Sequence, residues 1–466
     1  MLLKKNENQD LMNIQRTHKK FINDLTFEEA NYRVLNLARK LYDFVKNDNR
    51  VALLSSNSED MALFFLSLQC LGKEVLMLNA RLTDCEIKEQ LNALNIRVVL
   101  SHDNRFISFG EVYESKIPDA NCIDFMKLNG VMNLDDLITP SNQEAISVYM
   151  NTSATTGRFK TVPIKWKQLI AHAEASRVAL GVTSEDNWLM VLPMFHIGGL
   201  MILIRSLFNG TRVTIMEKCD SEETLKLIHD GGVNMISVVP TMLNSLMGGI
   251  DQNNLRVVLV GGAFIPDDLV NRCIAQKIPM FKTYGMTETT SQSTTFSVLS
   301  YPNKLESVGK PLQKAKIKIH NPDKNGVGEI LIKSPMLMDG YIDRPPVDDY
   351  FNTEDVGYID EEGFLYVLDR FTNIIISGGE NIYPKELENI LYNHPEVYEC
   401  AVTAQKHPKW GSVPYLYIVS SMDEDEIMSY LSERVARFKL PQKIIKMKTL
   451  PKNDVGKILK NDLRGC

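Results

Sequence analysis

Apolar positions along the chain fall into short runs separated by amphipathic stretches, and this alternation persists up to residue 260. Residues 10–47 carry Leu35, Leu37, Ala38, Leu41, Phe44 and Val45 near a 3.6-residue period, which predicts a helix. Runs at 51–54, 74–78 and 98–100 predict strands, with helices over 59–71 and 85–94 between them. The pattern resumes beyond residue 160. Helices are predicted over 166–180, 200–208, 222–229 and after Pro240, and strands at 188–192, 212–216, 235–239 and 256–260. Such strand–helix–strand spacing predicts a mostly parallel sheet covered on both faces. Past residue 300 the texture changes to short strands at 314–320, 328–333 and 363–368 with Gly, Pro, Asp and Asn between them, which suits a small antiparallel subdomain. A third mixture follows Asp369-Arg370: strands at 373–377, 399–404, 414–419 and 443–447, and helices over 384–393 and 425–435. The expected fold is therefore α/β. Residues 1–371 form a large domain of mostly parallel layered sheets with a small antiparallel β subdomain, and residues 372–466 form a small α+β domain.

Size agrees with this division, because 466 residues exceed what one compact core holds. With 44% hydrophobic and 24% charged residues the composition is that of an ordinary globular protein. A net charge of −6 gives no reason to expect nucleic acid or an anionic membrane as partner. The seven cysteines are scattered and never in C-x-x-C spacing, which speaks for a reducing compartment and against zinc or a disulfide framework. The first residues lack the apolar core of a signal peptide, and the longest apolar run, 197–204, is stopped by Arg205. A cytoplasmic location without membrane insertion is expected. The sequence leaves the oligomeric state open, a homo-oligomer included.

Candidate chemistry begins at Asn151-Thr152-Ser153-Ala154-Thr155-Thr156-Gly157-Arg158-Phe159-Lys160. Hydroxyl donors, a turn glycine and two cations suit a polyphosphate, although the spacing is not that of a Walker A loop and an ordinary polar turn has the same composition. Gly261-Gly262-Ala263 follows a predicted strand, at the carboxyl end where α/β sheets bind ligands. Thr283-Tyr284-Gly285-Met286-Thr287-Glu288 supplies a stacking ring, a hydroxyl and a hard oxygen ligand for Mg²⁺; a buried Tyr beside a capping Thr/Glu is the plainer reading.

With Thr353-Glu354-Asp355, Asp369-Arg370, Ser377-Gly378-Gly379-Glu380-Asn381 and 451–457 following in order, the chain resembles the adenylate-forming acyl-CoA synthetases over roughly residues 25–464. The resemblance implies a mobile C-terminal lid and two half-reactions: carboxylate plus ATP gives acyl-AMP and pyrophosphate, then the CoA thiol displaces AMP. It implies ATP, Mg²⁺ and coenzyme A as the small molecules bound. By motif position, Thr152, Ser153, Thr155, Thr156, Gly157 and Lys160 hold the β- and γ-phosphates. Thr287 touches the α-phosphate and Glu288 carries Mg²⁺. Gly261, Gly262, Ala263, Tyr284 and Gly285 line the adenine, and Asp355 binds the ribose with help from Arg370. Gly378 and Gly379 belong to the lid loop, and Lys457 bridges substrate carboxylate and α-phosphate. The chain departs from the family pattern at Ala154 and Thr161 (usually Gly), Phe159 (often Pro), Glu354 (usually Gly) and Thr372-Asn373 (commonly Lys-Asp).

Pro193-Met194-Phe195-His196-Ile197-Gly198-Gly199 matches the family segment whose Phe195/His196 pair lines the acyl pocket. Arg205 interrupts an apolar run, and a buried guanidinium needs an anion, either an internal Asp/Glu or a second carboxylate on the substrate. Phe195-His196, Arg205 and Thr289-Thr290-Ser291-Gln292 are particularly similar to the o-succinylbenzoate–CoA ligases of menaquinone synthesis. In that subgroup Arg205 faces the aryl carboxylate, with Gln292 beside the substrate. Another aryl or medium-chain acyl-CoA synthetase, or a non-catalytic adenylate-binding homologue, is the alternative.

Overall fold

The computed structural model describes residues 18–101, 113–114, 133–152, 159–250, 254–342, 344–377, 380–452, 456 and 458–463. Two large sheets carry the expected parallel cores. The nine-stranded one runs, in spatial order, Lys310–Pro311, Thr294–Ser297, Met280–Tyr284, Val257–Val260, Met235–Val238, Asn187–Met190, Arg212–Ile215, Lys20–Ile22 and Leu25–Thr26. Its strands from Met280–Tyr284 to Lys20–Ile22 are parallel. The six-stranded one runs Tyr113–Glu114, Val98–Ser101, Arg50–Leu54, Glu74–Leu78, Ile146–Thr152 and Lys160–Lys165, and only its last pair is antiparallel. A shared core joins the two through the buried helices Glu59–Cys70 and Ile197–Asn209, with Phe65, Leu68, Leu200 and Leu203 at its centre. These helices are apolar almost all round, as elements enclosed on every side must be.

The antiparallel subdomain is a four-stranded sheet, Lys316–His320, Gly328–Lys333, Phe351–Ile359 and Leu365–Arg370. Beyond a 3₁₀ turn at Phe371–Asn373, a further sheet pairs Glu380–Ile382, Ile375–Ser377, Gly411–Ser420 and Val397–His407, with Lys443–Lys446 parallel to Gly411–Ser420. Helices Pro384–Tyr392 and Glu424–Ser432 close its own core around Ile375, Leu387, Leu416 and Ile427. Among the described residues, no helix is long and apolar enough to cross a membrane.

Three expectations need correction. The helix predicted over 10–47 begins only at Phe27, because Thr26 and Glu29 close a capping box there and Lys20–Ile22 is a strand (10–17 lie outside the described residues). The nine-residue strand Phe351–Ile359 was not predicted, since a register shift between Val356 and Gly357 breaks its alternation. The strand expected at 363–368 sits at Leu365–Arg370, which brings Asp369 and Arg370 into the ladder.

Candidate active site

Gly261-Gly262-Ala263 and Tyr284-Gly285, two of the segments expected to hold a nucleotide, stand at the carboxyl ends of two neighbouring parallel strands, Val257–Val260 and Met280–Tyr284. Glycine is required at both ends. A β-carbon on Gly261 would lie 2.6 Å from Thr283 Cγ2, and one on Gly285 would lie 1.6 Å from the Ser291 carbonyl oxygen. Gly262 is exposed and Ala263 half-buried beside them. The Tyr284 hydroxyl donates to Asp355 Oδ2 at 2.6 Å, and burial, reinforced by Asp355, pushes the phenol pKa well above its usual value. Arg370 Nε stands 2.9 Å from the other oxygen, Asp355 Oδ1. Asp355 and Arg370 are cross-strand partners, so their meeting is dictated by register. Each carboxylate oxygen keeps a further lone pair for a ligand hydroxyl.

Glu288 is buried in the 3₁₀ turn Thr287–Thr289, with Thr287 half-buried beside it. Its Oε1 accepts the Tyr341 hydroxyl at 2.6 Å, and the Tyr341 pKa is raised by burial and then by Glu288. Lys160 Nζ lies over the Tyr341 ring, 5.2 Å from its centroid, and 3.7 Å from Glu354 Oε1. Thr152 pairs with Lys160 across the hairpin, and its hydroxyl donates to the Lys160 carbonyl at 3.3 Å. Thr161 uses its hydroxyl to tie Asn151 at 2.6 Å. Ser153, Thr155, Thr156, Gly157 and Ala154 between these strands lie outside the described residues. No cluster of three His, Cys, Asp or Glu side chains suited to a resident metal exists among the described residues. One buried carboxylate, half satisfied by Tyr341, fits instead a Mg²⁺ that arrives on a nucleotide and keeps phosphate and water ligands.

The segment expected to line the acyl pocket, residues 193–199, forms the entry to Ile197–Asn209, with His196 at the N-cap. A β-carbon on Gly199 would lie 2.1 Å from the Pro193 carbonyl oxygen, so the tight entry needs that glycine. The Phe195 and His196 rings are 4.8 Å apart. Arg205 is only 1% exposed, and its guanidinium covers the Trp188 ring at 4.3 Å from the centroid. Its Nε donates to the Met201 carbonyl at 2.9 Å, and one NH₂ group meets Gln292 Oε1 at 3.3 Å and Ser176 Oγ at 3.5 Å. Among the described residues no carboxylate pairs with it, and burial alone pushes its pKa down to about 9. Fully buried His172 accepts the Gln292 backbone N–H at 3.1 Å; burial, then the Arg205 charge, holds its pKa well below the usual imidazole value. His172 Nδ1 and Gln292 Nε2 find no partner. The cluster is thus rich in donors and short of an acceptor.

At the C-terminal region, Gly378, Gly379 and Lys457 lie outside the described residues. Gly456, next to Lys457, has φ +78, and a β-carbon there would lie 2.7 Å from Thr241 Oγ1 of the large sheet's helix Pro240–Leu246. Asp267 and Asn389 exchange two hydrogen bonds, at 3.1 and 2.7 Å. Asp369 accepts from Asn373 Nδ2 at 3.0 Å and from the Lys385 backbone N–H, at the start of helix Pro384–Tyr392, at 3.1 Å.

The AMP-binding enzyme profile matches residues 10–342, and the AMP-binding enzyme C-terminal domain profile matches residues 386–457. The chain belongs to the AMP-binding enzyme family. It is 44% identical to a 2-succinylbenzoate–CoA ligase of Lactococcus lactis over 96% of this chain and 97% of that one. It is similar to the solved o-succinylbenzoate CoA synthetase of Bacillus subtilis in complex with the acyl-adenylate OSB-AMP, with 33% identity, a TM-score of 0.88 and 97% of each chain covered. The same enzyme in complex with ATP and magnesium ion gives 32% identity and a TM-score of 0.88 over 97% of this chain and 98% of that one.

In this AMP-binding enzyme the sequence reading overlooked several residues that build the site. Tyr341 belongs to no motif and is recruited only by tertiary packing. His172 and Ser176 stand one helical turn apart on Trp166–Leu180, so a polar pair at i, i+4 in an apolar stretch was the signal that could have found them. Asn57 holds the acyl segment from outside, donating to the Leu192 carbonyl at 2.9 Å and accepting from Met194 N–H at 2.8 Å.

Proposed function

We propose that the chain is a cytoplasmic ATP-dependent 2-succinylbenzoate–CoA ligase of menaquinone biosynthesis, acting through an acyl-adenylate and releasing AMP and pyrophosphate. The observation that carries the choice of acid is Arg205: a buried cation with hydrogen-bond donors around it and, among the described residues, no carboxylate to neutralise it. A diacid supplies the missing anion with its aryl carboxylate, while the succinyl carboxylate goes to the nucleotide.

In the first half-reaction a carboxylate oxygen attacks the α-phosphorus, the bond to the bridging oxygen breaks, and pyrophosphate leaves. Two anions must approach each other, so stabilisation of phosphate charge dominates. Lys160 and Thr152 take the distal phosphates, Thr287 the α-phosphate, and Asp355 with Arg370 the ribose, while Tyr284 and Gly261–Ala263 flank the adenine. Glu288, held by Tyr341, would carry the Mg²⁺, which would neutralise the phosphates. In the second half-reaction the CoA thiol gives up its proton to water and its sulfur adds to the acyl carbonyl; the bond from the acyl carbon to the phosphate oxygen breaks, and AMP leaves with the electron pair. Residues 372–466 act as a lid on the hinge at Phe371–Asn373, with Lys457 at the α-phosphate in the first step only and Gly378 and Gly379 in the lid loop. Phe195, His196 and Gln292 line the acyl pocket.

Pyrophosphate release from MgATP, measured with 2-succinylbenzoate, benzoate, 4-phenylbutyrate and octanoate, tests the reading. Selective turnover of 2-succinylbenzoate is expected; turnover of a monoacid instead rejects the assigned substrate. The lid assignment has its own test. Lys457→Ala is expected to slow adenylation at least ~100-fold yet largely spare thioester formation from pre-made acyl-AMP. Equal loss in both half-reactions would exclude this division of labour.

A further inference from the structure

Glu354 is a charged residue where the backbone favours none. Its φ of +62° is left-handed, a conformation that glycine adopts freely and that a β-carbon disfavours. The turn is nevertheless firmly built: Asn352 Oδ1 accepts the Glu354 N–H at 2.8 Å, and Asn352 Nδ2 donates to Glu329 Oε2 at 2.7 Å. The side chain that this backbone displays lies among the cations of the nucleotide site. Glu354 Oε1 is 3.7 Å from Lys160 Nζ, and Glu354 Oε2 is 3.4 Å from a terminal nitrogen of Arg370. Arg370 has a second carboxylate in Asp355, but among the described residues Glu354 alone forms an ion pair with Lys160.

We propose that Glu354 is a resident anion of the polyphosphate cradle, competing with the nucleotide's distal phosphates for Lys160 and so setting nucleotide affinity. This rests on the ATP reading above and extends it to a residue no motif assigns. The distances suit competition rather than blockade. The pair with Lys160 is long and its carboxylate is half-exposed, which keeps it weak, so a multiply charged polyphosphate displaces the carboxylate. The same competition acts on departing pyrophosphate. When the β- and γ-phosphates leave after adenylation, Glu354 recaptures Lys160 and hinders rebinding of pyrophosphate, which slows reversal of the first half-reaction. AMP has neither distal phosphate, so its binding does not require Lys160 to let go.

The test is calorimetric binding of MgATP and of AMP to the whole protein and to Glu354→Gln and Glu354→Gly. Both variants are expected to bind MgATP about three- to tenfold more tightly, with a smaller change for AMP. Only the glycine variant should also melt at a higher temperature, because it alone relieves the left-handed β-carbon. The gain in MgATP affinity should shrink as salt is raised, since screening weakens the competing pairs. Unchanged MgATP binding in both variants overturns the proposal and leaves Glu354 a turn residue. Weaker binding that depends on Mg²⁺ overturns it in favour of a metal ligand. If the unaltered protein binds no ATP, the nucleotide reading itself falls, and this inference with it.

Discussion

Glu288→Gln is expected to slow acyl-adenylate formation by about 10²- to 10³-fold while leaving the fold intact. The substitution keeps shape and one carbonyl oxygen, so the Tyr341 hydroxyl, 2.6 Å from Oε1, retains an acceptor. What is lost is the negative charge that would hold Mg²⁺ against the phosphates, and an amide oxygen is a much poorer ligand for so hard a cation. The measurement is single-turnover pyrophosphate release at saturating MgATP, set beside thioester formation from pre-made acyl-AMP. Only the first should collapse. A comparable fall in both would mean that the substitution disturbs the pocket, and an undiminished first step would remove Glu288 from the chemistry.

Arg205→Met should separate stability from function. At neutral pH the guanidinium is charged even with its pKa pushed down to about 9, and it is 1% exposed with no carboxylate partner among the described residues. An uncompensated buried cation costs several kcal/mol, and exchanging buried ionic groups for apolar side chains of similar volume is often neutral or stabilising by ~1–4 kcal/mol. Loss of the stacking on Trp188 offsets part of that gain. The variant is therefore expected to melt at or above the temperature of the unaltered protein. Its turnover of 2-succinylbenzoate should nonetheless fall about 10²- to 10³-fold, because removing one partner of a desolvated charge pair costs ~3–4 kcal/mol. Monoacids, which have no second carboxylate, should lose little. Equal losses for diacid and monoacid would make Arg205 a packing residue. There is a pH corollary. A base whose folded pKa is depressed makes the unfolded state the stronger proton binder between about 9 and its usual value, so this site's contribution to stability rises with pH across that window. Diacid binding should weaken over the same range as the guanidinium discharges.

Much of the architecture was legible because parallel strands buried on both faces read as uninterrupted apolar runs; helix Trp166–Leu180 was placed to the residue. Where the reading failed, a local signal was outweighed by periodicity. Thr26 and Glu29 spell a capping box that marks the helix start, yet the apolar pattern alone extended the helix back to residue 10. The site divides in a similar way. Tyr284, Glu288, Asp355 and Arg370 stand in compact motifs and could be singled out from the chain. Tyr341 gains its role only through packing, from a segment whose own sequence announces nothing, whereas His172 is signalled only by the polar pair it makes with Ser176 on Trp166–Leu180. Glu354 was visible as a departure from family habit, but its left-handed backbone and its two cationic neighbours are properties of the fold.

The C-terminal region encloses its own apolar core, around Ile375, Leu387, Leu416 and Ile427. It meets the preceding parts of the chain through the paired Asp267 and Asn389, the Asp369 carboxylate at the start of Pro384–Tyr392, the Gly456 backbone on Thr241, and the rings of Phe264 and Tyr392 at 6.5 Å. Most of these contacts are polar. Water can take the place of each polar partner as it is released, and neither core has to be opened for the parts to swivel. The lid rotation proposed above should therefore leave the heat capacity nearly unchanged, because little oily surface is uncovered on the way.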